Sequence, residues 1–268
     1  MTTFAHTPEQ TSRTLHRLAD AKTMLRRNLL HAKRYPGLAG GIIIMPVVLL
    51  LLFNYIFGGA LEKATDGVKY IDYLTPGMML MIPAYITVGL AVLVATDMTK
   101  GIVNRFRTMH ISQTAMLTGH AVGSWIQGML GVTLMTLVAL LLGFRSHDAG
   151  VLEWVAAFGL IGLLVFSLNW LGIAFGLAAK TPESASNLPM PIVMLPFLGS
   201  GLVPTGTMPN GVKQFAEYQP FSSITETLRG LLMGTEIGHN GPLALAWCVV
   251  IALAGFFWST SLFKRRTH

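Results

Sequence analysis

The chain has 268 residues, of which 52% are hydrophobic and 12% charged, where an ordinary soluble domain carries about 25% charged residues. So little charge cannot cover the surface of a soluble protein this size. Disorder, a coiled coil and a nucleic-acid module with a free basic face are excluded, and a chain that crosses a membrane several times is indicated. The formal net charge is +7, from 19 Lys+Arg and 12 Asp+Glu, and the lone Cys248 leaves no intramolecular disulfide and no cysteine-based metal cluster.

The first 35 residues are polar, so no cleaved signal sequence is expected at the start. Within them, Leu15, Leu18, Lys22, Leu25 and Leu29 fall on one helical stripe, and Arg13, Arg17, Arg26 and Arg27 lie on the other face. Residues 11–31 therefore read as an amphipathic helix in the membrane interface, its basic face toward anionic lipid or an acidic partner. A bilayer crossing needs about 20 predominantly apolar residues, and six gaps in the charge pattern supply them. The first runs from Tyr35 to Leu61, centred on Ile42–Phe57; the second is Tyr73–Thr96. The third covers Ala121–Leu142, the fourth Trp154–Ala179, the fifth begins after Glu183 and reaches about Val203, and the sixth is Pro242–Phe263.

Three pieces do not read as simple spans. The Asp97–Thr118 loop is partly apolar through Phe106, Met109 and Ile111, which fits a short interfacial helix, and Gly101 allows a turn before it. Pro189, Pro191, Pro196, Pro204 and Pro209 recur through and after the fifth gap, so a straight helix is not expected there. The following Thr205–Gly241 segment carries Phe215, Tyr218, Phe221, Ile224, Leu228, Leu231 and Leu232. It reads as one or two short re-entrant helices dipping from outside, the alternative being an ordinary extracellular loop. Gly119/Gly123 and Gly172/Gly176 have the spacing that permits close helix approach.

Six spans put both termini on one side. The N-terminal segment, the second-to-third loop, the fourth-to-fifth loop and the tail together hold fourteen Lys/Arg and four acids, a net +10, while the opposite loops hold five Lys/Arg and eight acids, a net −3. The positive-inside rule places both termini in the cytoplasm. The basic excess is thus a topology signal.

Several chemistries are not encoded. No Gly-x-x-x-x-Gly-Lys-[Ser/Thr] sequence is present to cradle ATP phosphates. No Asp, Glu, Lys or Arg stands mid-span, as a proton or ion relay needs. His120, near the cytoplasmic start of the third span, reads as a lone structural histidine. An intramembrane serine protease would use Ser200, but Leu198 stands where such a nucleophile wants glycine, and the candidate bases His120 and His239 fall near opposite faces. The spans offer no acid clusters for metal ions.

Three stretches, taken together and in order, resemble one family. Tyr73-Leu-Thr-Pro76-Gly77 is similar to the "Tyr-x-x-Pro-Gly" start of the second span in ABC-2 type transporter permeases. Asp97-Met-Thr-Lys100-Gly101-Ile-Val-Asn-Arg105-Phe106-Arg107 resembles that family's cytoplasmic "Asp-x-x-x-Gly-x-x-x-Arg" segment, with Lys100 where an acid is common and His110 where proline is common. Ser200-Gly201-Leu-Val-Pro204, then Pro209, Gln219-Pro220 and Arg229, resembles the signature after the fifth span, with Gln219 in place of the more usual asparagine. Within the family the chain looks most similar to the daunorubicin-resistance (DrrB-type) drug exporters.

The resemblance implies an all-α polytopic fold of the type V exporter kind. Its parts would be a cytoplasmic N-terminal segment (1–35) with a connecting helix, a six-span domain (36–263) and a cytoplasmic tail (264–268). The domain would include a coupling loop (97–118) with a coupling helix and an extracellular re-entrant region (204–241). It implies a permease subunit, not itself an enzyme, in a bacterial plasma membrane. Two copies or two related chains would assemble with two copies of a separate ATPase that binds the ATP and Mg. Asp97, Lys100, Gly101, Arg105, Phe106 and Arg107 would couple to that ATPase. The re-entrant helices would cap the outer end of the path. With 15 methionines and no mid-span charge, the cargo is expected to be a hydrophobic or amphipathic drug, antibiotic or lipid-like molecule. Phe53, Trp125, Phe166, Trp170 and Phe197 are guessed as path-lining residues. The alternatives are a polysaccharide or glycolipid exporter, or an ATP-independent channel or carrier.

Overall fold

In the computed structural model of the chain, residues 36–65, 67–100, 113–146 and 149–267 are described. The expected helix at 11–31 and the centre of the 97–118 loop, including Gly101, Arg105, Phe106 and Arg107, lie outside them. Among the described residues every regular element is helical.

The first helix, α1 (Pro36–Leu52), passes through one wide turn at Phe53–Phe57 into the short α2 (Gly58–Leu61). The second span is α3 (Tyr70–Met79) followed without a loop by α4 (Met81–Thr99). Pro83 can donate no amide to the carbonyl of Met79, so the helical ladder breaks beside Leu80. Then come α5 (Gln113–Leu141) and α6 (Val151–Ala178). Among the described residues five stretches are long and apolar enough to cross a membrane: Ile43–Leu61, Tyr70–Thr99, Leu117–Leu141, Val151–Ala178 and Asn240–Arg265, the last within α11 (Asn240–Thr267).

As its prolines predict, the fifth gap does not form one long helix. Its residues form α7 (Pro182–Asn187), α8 (Met190–Met194) and a 3-10 turn at Leu195–Leu198. The cause is the proline spacing, since each proline removes a backbone donor and clashes with the turn before it. Thr181 and Ser184 exchange side-chain-to-amide bonds that start α7, with Pro182 preset in its first turn. The segment still runs the length of the second span. Ala185 packs with Ala91 and Ala95 near one end of that span, and Ser200 and Leu202 meet Tyr73 and Tyr70 at the other.

Beyond a turn at Thr205–Thr207 lie α9 (Val212–Tyr218) and α10 (Pro220–Met233). Pro220 opens α10, and Gly234, in the left-handed region at φ 72°, ends it. Phe221, Ile224, Leu228 and Leu232 form its buried stripe. This is a packed helix, not a surface loop.

The Tyr70–Thr99 span is the centre of the molecule: 72% of its apolar window is buried, against 17% for Ile43–Leu61 and 22% for Asn240–Arg265. Helix α6 packs on it through the Gly172/Gly176 pair. A Cβ on Gly176 would stand 2.6 Å from the carbonyl oxygen of Ala91, so only glycine allows this approach.

Candidate functional site: a polar junction at one end of the central span

The family-like residues scattered over 150 positions of sequence meet at the Tyr70 end of the central span. Gly77 faces Gly201: a Cβ on Gly77 would lie 2.5 Å from the Gly201 Cα and 2.7 Å from its carbonyl oxygen. These are backbone atoms and cannot swing aside. Both glycines are buried, so the chain after the broken segment is seated directly on α3.

Arg229 is the keystone of this contact. It is 8% exposed and comes from the middle of α10. Its Nη2 donates to the carbonyl oxygens of Tyr73 at 3.2 Å and Ser200 at 3.1 Å. Its Nη1 pairs with the carboxylate of Glu226, one turn back. The guanidinium carbon stands 3.8 Å from the centroid of the Tyr73 ring. Charge-assisted bonds are about twice as strong as neutral ones, and a desolvated cation over an aromatic face contributes about 2 kcal/mol. The planar fork is what lets one side chain satisfy two carbonyls from separate segments.

Further bonds close the junction. The hydroxyl of Tyr73 donates to the Ser200 carbonyl at 2.7 Å, and that of Tyr70 to the Leu202 carbonyl at 3.0 Å. The Ser200 amide donates to Ser222 Oγ at 3.1 Å, and Gln219 Nε2 donates to the Leu195 carbonyl at 3.0 Å. Gln219 thus ties the start of α10 back to the broken segment. Asp72, buried, accepts the Arg145 amide at 2.9 Å, and Ser146 Oγ donates to the Leu232 carbonyl at 2.7 Å. Five parts of the chain are joined: α3, the turn after α5, the 195–202 segment and both ends of α10. The backbone of the irregular stretch, which hydrocarbon could not solvate, finds its partners here.

The other expected residues are distributed as follows. Pro76 is buried in α3, and Pro220 starts α10. Pro204 is partly buried beside Leu202, while Pro209 is exposed and its carbonyl accepts the first amide bond of α9, from Lys213. At the far end, Lys100 is exposed but Asp97 is only 3% exposed. Asp97 is inside the helix bundle, not on a surface. Ser200 lies at the Tyr73 end of the central span and His120 beside Asp97 at the other. With about 1.5 Å per helical residue, some 24 residues separate them by about 36 Å. No histidine-activated serine is formed by that pair.

The guessed path residues do not share one wall. Trp125 donates its Nε1–H to the Gly162 carbonyl at 2.8 Å and bridges α5 to α6. Phe166 meets Trp170 edge to face, and Trp170 meets Phe256 of α11 with ring centroids 5.0 Å apart. Phe53 and Phe197 pack partly buried against the main core. A shallow apolar depression lies elsewhere, lined by Ala149, Val151, Trp154, Val155 and Phe158.

Two associations escaped sequence reasoning. His120 is not alone: its Nε2 stands 3.2 Å from Asp97 Oδ2, both residues being buried. Tyr73 is a cation platform as well as a motif letter. The apolar helix faces carry no pattern that would set either rotation. The motif residues Tyr73, Gly77, Ser200, Gly201 and Arg229 marked the first end in sequence, but nothing paired Asp97 with His120 at the second.

Long apolar helices around a buried central span, with irregular backbone satisfied inside the protein, define a multi-pass membrane protein. The ABC-2 type transporter family model matches residues 20–233. The chain is 32% identical over 237 residues to the daunorubicin resistance ABC transporter permease protein DrrB1 of Streptomyces coeruleorubidus, covering 88% of this chain and 82% of that one. It is 25% identical over 223 residues to nodulation protein J of Rhizobium meliloti (strain 1021), covering 79% and 82%. The chain belongs to the ABC-2 type transporter family of membrane permeases, whose members are not themselves catalytic.

Proposed function

We propose that this chain is the membrane subunit of an ATP-driven exporter for hydrophobic or amphipathic small molecules. The observation that carries this reading is the 32% identity, spread over nearly the whole chain, with a permease named for daunorubicin resistance. In this reading the proline-broken stretch is a sixth crossing, with α9 and α10 as re-entrant helices capping the outer end. Its support is the packing of Ala185 near Ala95 and of Ser200 at Tyr73. Both termini are cytoplasmic, in a bacterial inner membrane, as the +10 and −3 charge balance of the two faces supports. Two permease copies enclose the path, and two copies of a separate ABC ATPase dock on the 97–118 loops and the N-terminal helices.

The mechanism is a ligand-biased equilibrium between packed states. ATP binding brings the ATPase subunits together and moves the docked loops. The helices respond as rigid bodies, and the outer caps part to release the cargo. Arg229 holds each cap to the central span in the closed state, so opening must either carry α3 and α10 together or break that fork.

The test is reconstitution in proteoliposomes with an ABC ATPase that co-purifies with this chain, using daunorubicin as the probe. ATP-dependent movement of the probe that needs both proteins is the expected result. Movement by the lone permease without an ATPase would overturn the reading in favour of a channel or carrier.

A further inference from the structure

We propose that Asp97 and His120 are positioning residues, forming a brace that locks together the two helices from which the cytoplasmic loop hangs. Asp97 sits in the last turn of α4, two residues before its end, and His120 lies two turns into α5, which begins at Gln113. Each is 3% exposed, and Nε2 of His120 is 3.2 Å from Oδ2 of Asp97. The approach is oblique: neither imidazole nitrogen meets the angular requirement of a hydrogen bond to a described residue. The contact is thus one of charge and polarity at close range. The same helices, α4, α5 and α6, share a buried apolar cluster that includes Val94, Leu117 and Ala121, within a turn of Asp97 or His120 in sequence. Water is displaced there and polar attraction is stronger than at a surface.

A buried polar pair is a poor source of stability, because desolvation offsets most of the attraction; an apolar pair of similar volume would hold the helices as well. What the polar pair adds is one defined register, since a shift that parts the two groups leaves each buried without its partner, while leucines can slide past one another at little cost. A second bond fixes the same place from a third helix. Asn169 of α6 is fully buried, and its Nδ2 donates to the carbonyl oxygen of Ala121, the residue after His120, at 3.0 Å. Rotation of α5 about its axis is therefore held from both sides at one level. A force applied to the loop moves α4 and α5 as one body instead of bending the loop at its roots. Asp97 acts from inside the bundle through His120, while the exposed Lys100 stands on the surface open to a partner.

The link from brace to transport rests on the reading of the loop as the ATPase-docking segment; the brace itself does not. The experiment uses the full chain with its ATPase in nanodiscs and, for efflux, in proteoliposomes. Spin labels are placed on Thr99→Cys and Val122→Cys, both exposed positions, with the buried Cys248 changed to Ala. His120→Gln keeps a polar donor near the Nε2 position, His120→Leu keeps only apolar volume, and Asp97→Asn removes the charge. The expected result is a narrow label-to-label distance distribution for the parent and His120→Gln, and a distribution about twice as wide for His120→Leu and Asp97→Asn. Daunorubicin moved per ATP hydrolysed should fall about tenfold in the latter two and stay within about twofold in His120→Gln. Equal widths for the Leu and Gln variants would overturn the brace. If His120→Leu fails to accumulate, Asp97→Asn decides on the same readout, and a parental width there also overturns it. If the parent shows no ATP-driven movement, the exporter reading fails and the label widths still decide the brace.

Discussion

At one end of the Tyr70–Thr99 span a guanidinium reaches backbone carbonyls of two separate segments, and at the other a carboxylate meets an imidazole. The first junction gathers irregular backbone: the stretch around Ser200 has left the helical ladder, and its carbonyls need donors inside the protein. The second joins two regular helices through a pair of side chains, with Asn169 of a third helix bonded to the Ala121 carbonyl beside them. An arginine fork recognises main chain, and any sequence on the partner segment serves provided the backbone comes close enough. A side-chain pair recognises particular residues and sets relative rotation. The Arg229 end is therefore built to hold an unusual backbone path in place, and the His120 end to hold two ordinary helices in register.

Changes at the Arg229 end should cost the most. Gly77→Val would drive a branched side chain into the Gly201 backbone. Overpacking typically costs about 1–3 kcal/mol and more where backbone must shift, so monodisperse protein on fluorescence-detected size exclusion should fall to near background. Arg229→Lys is next. It keeps the charge but loses the fork, and a loss of about 2–4 kcal/mol is expected from one buried charge left with fewer partners. A thermal melt should place it well below the parent, and a parental melt would remove the keystone role. Ser222→Ala takes away the acceptor for the Ser200 amide. It should cost about 1 kcal/mol, seen as a small drop in the same melt and as faster hydrogen exchange at Ser200.

The smallest effect lies outside both junctions, at the start of α7. The carboxyl of Glu183 is held below its usual value of 4.5, first by its own backbone amide and then by the Thr181 hydroxyl. A depressed pKa in the folded state contributes stability above the unfolded value, and that contribution is lost as pH falls through the folded value. Thr181→Ala should move the Glu183 titration part of the way back up, as read by carboxyl carbon NMR. No movement would mean that the backbone amide alone sets it.

How much of this was legible in the sequence depends on what each contact asks of a residue. Gly77, Gly201 and Arg229 answer to backbone geometry that only glycine or arginine can meet, so their identities and order carried the signal. The broken path after Glu183 was legible too, because its prolines forbid a continuous helix. Among the described residues five stretches are long and apolar enough to cross a membrane, and the proline-rich gap, where no straight helix was expected, is the one of the six without such a stretch. The amphipathic stripe of α10, with Phe221, Ile224, Leu228 and Leu232, announced a packed helix. The Asp97–His120 pair gave no such sign. Helices apolar on every side have no preferred face in sequence, so nothing indicates which way residue 97 or 120 turns. For the same reason Trp125 could be placed in a span but not on the Gly162 carbonyl.

The contact between Gly77 and Gly201 has a consequence for how this protein can change. The two positions lie 124 residues apart in sequence but share one gap too narrow for a methyl group from Gly77. They behave as a single mutational locus: a substitution at either one meets the other's main chain, and no compensating side chain can be removed because neither has one. Random libraries should return glycine at both positions whatever cargo is selected for. Variants with altered cargo range should instead cluster on side-chain contacts such as Trp125, Trp170 and Phe256, where a neighbouring side chain can adjust in turn.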